Sequence, residues 1–402
     1  MSGPLDGVKI LDLTTVVMGP FATQILAELG AQVTKVEPFA GDNMRDVGPM
    51  INPHMGHLHL HLNRGKRGVA VNLKSEEGLG IIKRLIEKSD VLIYNVRPQA
   101  MARLGLSYEE VKEVNPQIIY VGAYGYSEEG PRAGQAAYDD LIQGGTGVPW
   151  LMAREGRDKP RYVPLNFADR VTGLHAVYAV TSALYAREKT GVAQSVEVPM
   201  FESISHFVLG DHMAGLSFQP PIGPSGYERL KHRRVYKTKD GFICALVYNE
   251  AQWTRFWEAM GQPEMMKDPK FLTHSKRAEN IGKIYDLLSE IIEQETTEHW
   301  LEFFQRGDIP VAKMNAVDDL LSDSHLLNTN FFRSENHPTE GVLHALKTPT
   351  RWSESQPESV SPAPTLGEHT KVVLEELSYT DDEIQKLLES GVVSAGVKSV
   401  ES

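Results

Sequence analysis

One carboxylate stands at the start of a long apolar segment near the middle of the chain. The segment reads NFADRVTGLHAVYAVTSALYAREKTG, with Asp169 at its threshold and Gly173 four residues later. As a helix cap, Asp169 would accept a backbone N–H and contribute about 1 kcal/mol. A helix N-terminus also lowers the pKa of a carboxylate, which keeps it ionised and nucleophilic. A cap and a nucleophile are compatible roles for this residue.

Gly173 supports a role for Asp169 as a nucleophile. Glycine inside a helix costs about 1 kcal/mol relative to alanine, and it usually marks the close approach of another group. Small residues, Ala168 and Ala176, flank it. We therefore expect the start of this helix to pack closely against a ligand or a neighbouring element.

Basic side chains form a second group that could bind substrate. The net charge of −12 argues against a nucleic-acid-binding protein, which needs a broad positive surface. A local basic group in an acidic chain suits a small polyanionic ligand, and a solvated surface face is the alternative. The residues are Arg64, Lys66, Arg67, Lys74, Arg97 and Arg103.

The run HMGHLHLHLN, residues 54–63, has the composition of a metal site. In a strand, His57, His59 and His61 would share one face, and histidines so placed can bind zinc. No acidic or cysteine partner lies beside them or beside His54. The histidines could instead line an anionic pocket next to the basic loop, so no metal is assigned.

A serine hydrolase is not supported. Ser203, Ser205 and His206 lie in the apolar run FESISHF, but no G-x-S-x-G motif occurs. Helix packing explains these residues.

The elements that must position these groups alternate through the first third of the chain. Hydrophobic patterns, caps and glycine or proline breaks separate strands from helices. This alternation predicts an α/β fold with a mostly parallel, doubly wound sheet. Strands are predicted at 8–13, 31–38, 68–73, 90–95 and 117–125, and helices at 20–30, 75–89 and 107–114.

Ligands of such a sheet bind outside the carboxyl ends of its strands. The segments that leave those ends are 14–20, 72–74, 95–98 and 123–127, and Lys74, Arg97 and Arg103 lie in or just after them. Neither G-x-G-x-x-G nor G-x-x-x-x-G-K-[ST] is present. We therefore expect side-chain cations, rather than a glycine-rich loop, to bind phosphates.

The rest of the chain predicts a smaller α+β domain and a returning tail. Residues 169–190 read as a helix that is apolar on nearly all sides, and such a helix is buried. A hairpin with a Lys-Asp-Gly turn and helices near 250–260, 275–293 and 296–306 follow, and two short amphipathic helices end the chain. The predicted domains are 1–215 (large), 216–235 (linker), 236–325 (small) and 326–402 (C-terminal segment returning to the large domain).

Composition is that of a globular protein. The 402 residues are 41% hydrophobic and 23% charged, and no run of eighteen apolar residues occurs. The N-terminus shows no secretory leader, and the single cysteine, Cys244, excludes an internal disulfide framework. A cytoplasmic protein without membrane or nucleic-acid partners is expected.

Several motifs together resemble a known family. PLDGVKILDLTTVVMGPFATQILAELGAQVTKVEP, LNRGKRGVAVNLKSEEG, AYDDLIQGGTG, NFADRVTGLHAVYAVTSALYAREKTG and LGEHTKVVLEELSYTDDEIQKLLESGVV occur in this order. They resemble the class III CoA-transferases, which include formyl-CoA:oxalate, carnitine and succinyl-CoA-dependent enzymes and the related 2-methylacyl-CoA racemases. The resemblance covers nearly the whole chain.

This resemblance implies a CoA-transferase in which Asp169 attacks an acyl-CoA thioester. A mixed anhydride forms first, then an aspartyl-CoA thioester, and a carboxylic acid acceptor takes the CoA by the reverse steps. Such nucleophilic catalysis divides one difficult exchange into easier ones. Coenzyme A enters as a substrate, and no permanently bound cofactor is expected.

The resemblance also implies the CoA contacts and the assembly. The fold would be a Rossmann-like large domain built from both chain ends plus a small domain, and two chains would interlace as a homodimer. Lys74, Arg97 and Arg103 would bind the phosphates. The implied contact residues are Val17, Met18, Asn72, Lys74, Asn95, Val96, Arg97, Arg103, Ala136, Ala137, Tyr138 and Asp139.

Departures from the family pattern narrow the activity. The racemases carry a histidine where this chain has Tyr138, and a tyrosine with an ordinary pKa near 10 is a poor base at neutral pH. The oxalate enzymes have a glutamine at Val17 and a glycine-rich flap where this chain has VYNEAQW, residues 247–253. A small dicarboxylate acceptor fits the basic surroundings. A 2-methylacyl-CoA epimerase and a non-catalytic acyl-CoA-binding dimer stay as alternatives.

Overall fold

The computed structural model describes residues 3–153, 159–357 and 360–396. The chain divides into two compact units. The first unit contains the chain through Val208 and the segment from Asn330 onward, and the second contains Leu209–Thr329. The functional domains predicted with borders at 215, 235 and 325 stay predictions.

The strands build three sheets. A seven-stranded sheet in the first unit has the order β12-β3-β2-β1-β4-β5-β6, a β10–β11 hairpin lies in the same unit, and β7-β8-β9 form a sheet in the second unit. The strands are β1 Lys9–Leu13, β2 Gln32–Glu37, β3 Lys66–Val71, β4 Val91–Tyr94, β5 Ile119–Tyr124, β6 Ser195–Pro199, β7 Tyr236–Lys237, β8 Phe242–Ala245, β9 Val311–Lys313, β10 Phe332–His337, β11 Gly341–Leu346 and β12 Val393–Ser394.

The α-helices connect and cover these strands. They are α1 Met18–Glu28, α2 His57–Leu62, α3 Glu76–Glu87, α4 Pro98–Arg103, α5 Tyr108–Val114, α6 Asp139–Gly145, α7 Val148–Ala153, α8 Phe167–Thr190, α9 Met200–His212, α10 Tyr227–Leu230, α11 Glu250–Ala259, α12 His274–Glu279, α13 Ile281–Ile292, α14 Thr297–Arg306, α15 Ser324–Asn328, α16 Thr370–Glu376 and α17 Asp381–Glu389.

The large sheet is mostly parallel and has the doubly wound order. β3, β2, β1, β4, β5 and β6 pair in parallel, while β12 joins β3 antiparallel at the edge. The order of the strands along the sheet changes direction between β1 and β4, and ligands of such sheets bind at this point. The predicted mixed α/β fold with a mostly parallel sheet is confirmed.

Each face of the large sheet carries its own core. Alternate strand residues point to opposite faces, so Leu92 joins one core and Ile93 the other. α3, α5, α16 and α17 cover the first face, and α1, α8 and α9 cover the second. Because α16 and α17 come from the C-terminal segment, both ends of the chain build this unit.

The second unit packs an aromatic core under an antiparallel sheet. β7, β8 and β9 pair antiparallel, with the predicted Lys-Asp-Gly turn between β7 and β8. Trp253, Trp257, Phe256, Trp300 and Phe304 from α11 and α14 are almost fully buried. In the described part of the chain, no helix has the length and apolar character needed to cross a membrane.

Two local predictions are wrong. The histidine run forms α2 rather than a strand, because six alternating residues fit either period and Gly56 starts a helical turn. The helix predicted at 275–293 divides into α12 and α13, which meet at Asn280.

Candidate active site

Asp169 lies in the first turn of α8 and does not cap it. The helix begins at Phe167, two residues before the predicted start, so Asp169 is its third residue. The backbone N–H of Asp169 donates to Asp139 Oδ1 at 2.9 Å. No described residue donates a hydrogen bond to the Asp169 side chain, which is 8% exposed. The carboxylate is therefore not engaged in capping, and the cap interpretation is wrong.

Asp139 connects α6 to the start of α8. It is the first residue of α6, and its Oδ2 accepts from Gln143 Nε2 at 2.6 Å. Gln143 is buried, and its Oε1 accepts the backbone N–H of Val163 at 3.0 Å. One carboxylate and one amide thus fix the chain that leads into Asp169.

The surroundings raise the pKa of Asp169 to about 7. Burial is the largest cause, the nearby Asp139 carboxylate adds to it, and the positive charge of Arg170 opposes both. The sequence-based expectation that the helix N-terminus lowers this pKa is wrong, because loss of solvation outweighs the helix dipole.

Gly173 allows α8 to approach α1. A Cβ atom at this position would lie 2.9 Å from the carbonyl oxygen of Met18 and 2.9 Å from Phe21 Cδ1. The close approach that the glycine indicated is therefore made by a helix rather than by a ligand. It places the Asp169 turn against the start of α1, directly after the β1 loop.

The loop from β1 to α1 is held in a strained conformation. Val16 has φ 68°, a left-handed value that costs a β-branched residue about 1–3 kcal/mol. Its backbone N–H donates to the Asp42 carboxylate at 3.1 Å, and Asp42 pairs with Lys35 at 3.0 Å. Asn95 clamps the neighbouring residue: its side chain accepts from Thr15 N at 2.8 Å and donates to Thr15 O at 2.7 Å. Side chains that follow β2 and β4 thus hold the backbone of this loop in place.

Several predicted CoA contacts lie around this loop. Val17 and Met18 are almost fully buried, so any contact they make with a ligand would use their backbone. Asn95 uses its side-chain amide on the loop itself, and Val96 packs partly against the first core. Their role in binding CoA stays a prediction.

Three predicted phosphate-binding cations are exposed at the carboxyl edge of the sheet. Lys74 follows β3, Arg97 precedes α4 and Arg103 ends it, and no carboxylate in the described ranges pairs with them. Lys74 N donates to the Asn72 side chain at 3.1 Å, and Arg97 Nη1 donates to Gly134 O at 3.4 Å. These cations are available to an anionic ligand.

The stretch 136–139 lies beside the end of β5. A Cβ atom at Gly125, just after β5, would lie 2.3 Å from the Ala137 Cβ. Ala136 and Tyr138 are exposed, Tyr138 by 66%, while Asp139 is partly buried against Asp169. The fold therefore brings the last predicted contact segment to Asp169.

The basic group of NRGKRG has a structural role. Its three side chains pair with carboxylates, and Lys66 is fully buried with its partner at 3.1 Å. Arg64 and Lys66 neutralise acids inside the fold, whereas Arg67 is partly exposed and pairs with a half-exposed Glu376 at the surface. The pairs are Arg64–Glu28, Lys66–Asp12 and Arg67–Glu376.

The histidines separate onto different faces of α2. His59 is buried, and its Nε2 lies 3.0 Å from the carbonyl oxygen of Pro364. His57 and His61 lie one turn apart on the other side, and His54 lies before the helix. Across the described residues, no group of three or more histidine, cysteine or acidic side chains is arranged to hold a metal ion.

Some residues of the site were not predicted from the sequence, because they contact segments that are distant in the chain. Asp42 lies outside the quoted motifs, and Gln143 lies within AYDDLIQGGTG without having been assigned a role; only the fold brings them to the loop and to α8. Arg170 could have been noticed, since it is the residue after Asp169 in an otherwise apolar helix start. The segment VYNEAQW, which stands where the oxalate enzymes have their glycine-rich flap, lies in the second unit, where Asn249 caps α11.

The first unit is thus a doubly wound α/β unit with a buried carboxylate, Asp169, beside its strand-end loops. The model of CoA-transferase family III matches residues 5–370. The chain belongs to this family, which confirms the resemblance and the enzyme class.

Relatives and solved structures agree with this assignment. The chain is 33% identical to human succinyl-CoA:glutarate CoA-transferase over 97% of its length and 90% of the relative. It is 31% identical to formyl-CoA:oxalate CoA-transferase of Streptomyces coelicolor, over 97% of this chain and 99% of the relative. A CAIB/BAIF family protein from Brucella suis has a similar structure, with TM-score 0.80, 30% identity, and coverage of 94% of this chain and 100% of that one.

Proposed function

We propose that this enzyme moves CoA from an acyl-CoA thioester to a carboxylic acid through a covalent intermediate on Asp169. The observation that carries the proposal is the Asp169 carboxylate, which is buried and accepts no hydrogen bond from any described residue. A carboxylate without donors keeps its electron pairs for the substrate. CoA thioesters are the substrates that the family implies.

The transfer would proceed in four balanced steps. The Asp169 carboxylate attacks the thioester carbonyl, which expels CoA thiolate and leaves a mixed anhydride. The thiolate then attacks the Asp169 carbonyl, which releases the donor acid and leaves an aspartyl-CoA thioester. The acceptor carboxylate attacks this thioester and regenerates an anhydride, and the thiolate finally attacks the acceptor carbonyl and frees Asp169.

Positioning is the main task that this scheme sets for the protein. One thioester replaces another, so the overall free energy changes little. Correct placement of the reactants supplies about 7–11 kcal/mol of a barrier. The fixed loop at Thr15 and Val16 and the α6–α8 linkage support such placement. Lys74, Arg97 and Arg103 would hold the CoA phosphates.

We also propose that two copies of the chain form the functional homodimer. Ala176, Val180 and Ala183 bury one side of α8, yet the opposite side exposes a stripe of large apolar residues. This stripe consists of Leu174, Tyr178 and Tyr185, which are 53%, 56% and 66% exposed. A second copy is the occupant that the family resemblance implies for such an apolar surface.

Intact-mass spectrometry tests the covalent step. Incubation with an acyl-CoA should add the mass of CoA less one water to the chain, and borohydride should reduce the captured thioester. Asp169→Ala should form no adduct and lose transfer activity. Asp140→Ala is the matched control, because Asp140 is an exposed neighbour of Asp139 in α6 and should leave the adduct intact.

Three outcomes would overturn the proposed function. Full transfer activity in Asp169→Ala would remove the nucleophile. Deuterium wash-in at the α-carbon of a 2-methylacyl-CoA, without transfer, would favour the epimerase alternative. Tight CoA binding without any exchange of labelled acid would favour the non-catalytic dimer.

A further inference from the structure

Arg170 is a partly buried cation that forms no ion pair with any described carboxylate, although the nearby Asp169 charge opposes the burial that lowers its pKa. It follows Asp169 in the first turn of α8 and is partly buried. Its guanidinium carbon lies 4.8 Å from the centre of the Phe21 ring on α1. No described carboxylate forms an ion pair with it, and no described acceptor takes a hydrogen bond from it. Its donors therefore remain available to a ligand.

Other shielded arginines of the same unit do not share this condition. Each one that is buried or partly buried lies within ion-pair distance of a carboxylate, which offsets its loss of solvation. Arg170 departs from this rule although burial already lowers its pKa. The pairs are Arg45–Glu37, Arg64–Glu28, Arg67–Glu376, Arg187–Asp90 and Arg333–Glu335.

The charge of Arg170 reaches both the nucleophile and α2. It opposes the burial and the Asp139 charge that raise the pKa of Asp169. Together with burial, Arg64 and His57, it lowers the pKa of His61, whose ring still reaches solvent. Burial lowers the pKa of Arg170 and Asp169 in turn opposes that shift, so the two charges attract each other without an ion pair between them.

The place of Arg170 indicates what it binds. The phosphates of CoA lie at the far end of an extended pantetheine arm from the thioester, and the exposed strand-end cations are available to them. A cation beside the nucleophile instead meets the acyl group or the acceptor acid. A guanidinium presents parallel N–H donors that match the two oxygens of a carboxylate.

We propose that Arg170 is a specificity-determining residue that binds the second carboxylate of a dicarboxylic acid acceptor while the first reacts at Asp169. This inference rests on the proposed function and adds to it the residue that selects the substrate class. The binding is an ion pair, so no covalent bond of the second carboxylate changes. A monocarboxylic acid of the same length would leave the guanidinium without its partner and bind less tightly.

Matched acids and variants test the proposal. With acetyl-CoA as donor, kcat and KM are measured for succinate, glutarate and adipate against butanoate, pentanoate and hexanoate. Arg170→Met should lower the diacid-to-monoacid ratio of kcat/KM by about 10- to 100-fold, the loss that follows removal of a charged hydrogen bond. The change should appear in KM for the diacid. Arg170→Lys keeps the positive charge but loses the two parallel N–H donors. Its diacid-to-monoacid ratio of kcat/KM should therefore lie between those of the wild type and Arg170→Met.

A control variant and adduct formation separate the possible failures. Arg187→Met removes an arginine from the other end of α8, where it pairs with Asp90, and should leave the ratio unchanged. Equal losses for diacids and monoacids in Arg170→Met would overturn the proposal, as would a wild-type enzyme that does not prefer diacids. If the wild-type chain forms no Asp169 adduct, the proposed function fails; if it does and the ratio does not move, only the role of Arg170 fails.

Discussion

Asp169 shows how local surroundings change the chemistry of a residue. Its ordinary pKa near 4 would leave it ionised without assistance. Burial and the Asp139 charge instead raise the pKa to about 7, which leaves both forms present at neutral pH. Desolvation has a compensating use, because a carboxylate stripped of hydrogen-bond donors is a stronger nucleophile than a solvated one.

This shift predicts a pH dependence for the first chemical step. In the proposed transfer, only the ionised Asp169 carboxylate attacks, and its fraction rises as pH increases through the pKa. The rate of adduct formation in single-turnover experiments should therefore rise with pH, with its midpoint near pH 7. Asp139→Asn, which keeps the oxygen that accepts from Asp169 N but removes its charge, should move the midpoint to lower pH. A wild-type midpoint near 4 would contradict this prediction.

At the scale of elements, the site depends on the contact between α1 and α8. Gly173 lets the two helices meet at the turn that carries Asp169, and the same turn of α1 follows the strained loop. Asp42, which follows β2, and Asn95, which follows β4, hold that loop through hydrogen bonds to its backbone. The active-site geometry is thus set by packing between elements rather than within one helix.

Two glycine-to-alanine variants test this contact. Gly173→Ala places a Cβ atom 2.9 Å from Met18 O and should destabilise the fold by about 1–3 kcal/mol, because the helices must separate. Gly80→Ala in α3 is the matched control: its Cβ atom meets nothing within 4 Å, so alanine should stabilise by about 0.5–1 kcal/mol. Urea denaturation measures both, and equal free energies of unfolding for the two variants would contradict the contact.

At the scale of the whole molecule, α8 has two apolar sides. The inward side packs on the large sheet, while the stripe of Leu174, Tyr178 and Tyr185 remains exposed within one chain. The sequence predicted a helix buried all round, and one chain buries only part of it. A second chain that covers the stripe would complete that burial.

The dimer proposal predicts a mass near twice that of the chain. Light scattering after size-exclusion chromatography should give this mass for the wild type. Tyr185→Glu places a charge in the stripe and should shift the protein toward the monomer, since a buried unpaired charge is costly. Val317→Glu, at a site that is 83% exposed in the second unit, should leave the mass unchanged. A monomeric wild type would contradict the proposal.

The local patterns predicted elements well where a single period and clear end signals agreed. β1 and α3 follow the predicted ranges closely, and Ser75 caps α3 as expected. The histidine run fitted the periods of both a strand and a helix. It forms a helix in which His59 contacts the carbonyl oxygen of Pro364, far away in the chain. The start of α8 was predicted two residues late, because Asp139 binds Asp169 N from another helix.

The sequence by itself determined the α/β alternation, the family and the aspartate most suited to chemistry, because these depend on local periodicity and on motifs that lie together in the chain. Only the tertiary structure decided that Lys66 is a buried partner of Asp12, that Asp139 raises the pKa of Asp169, and that Arg170 forms no ion pair within the described ranges. Such facts depend on distances and on solvation between residues far apart in the chain. Those quantities do not exist until the chain has folded.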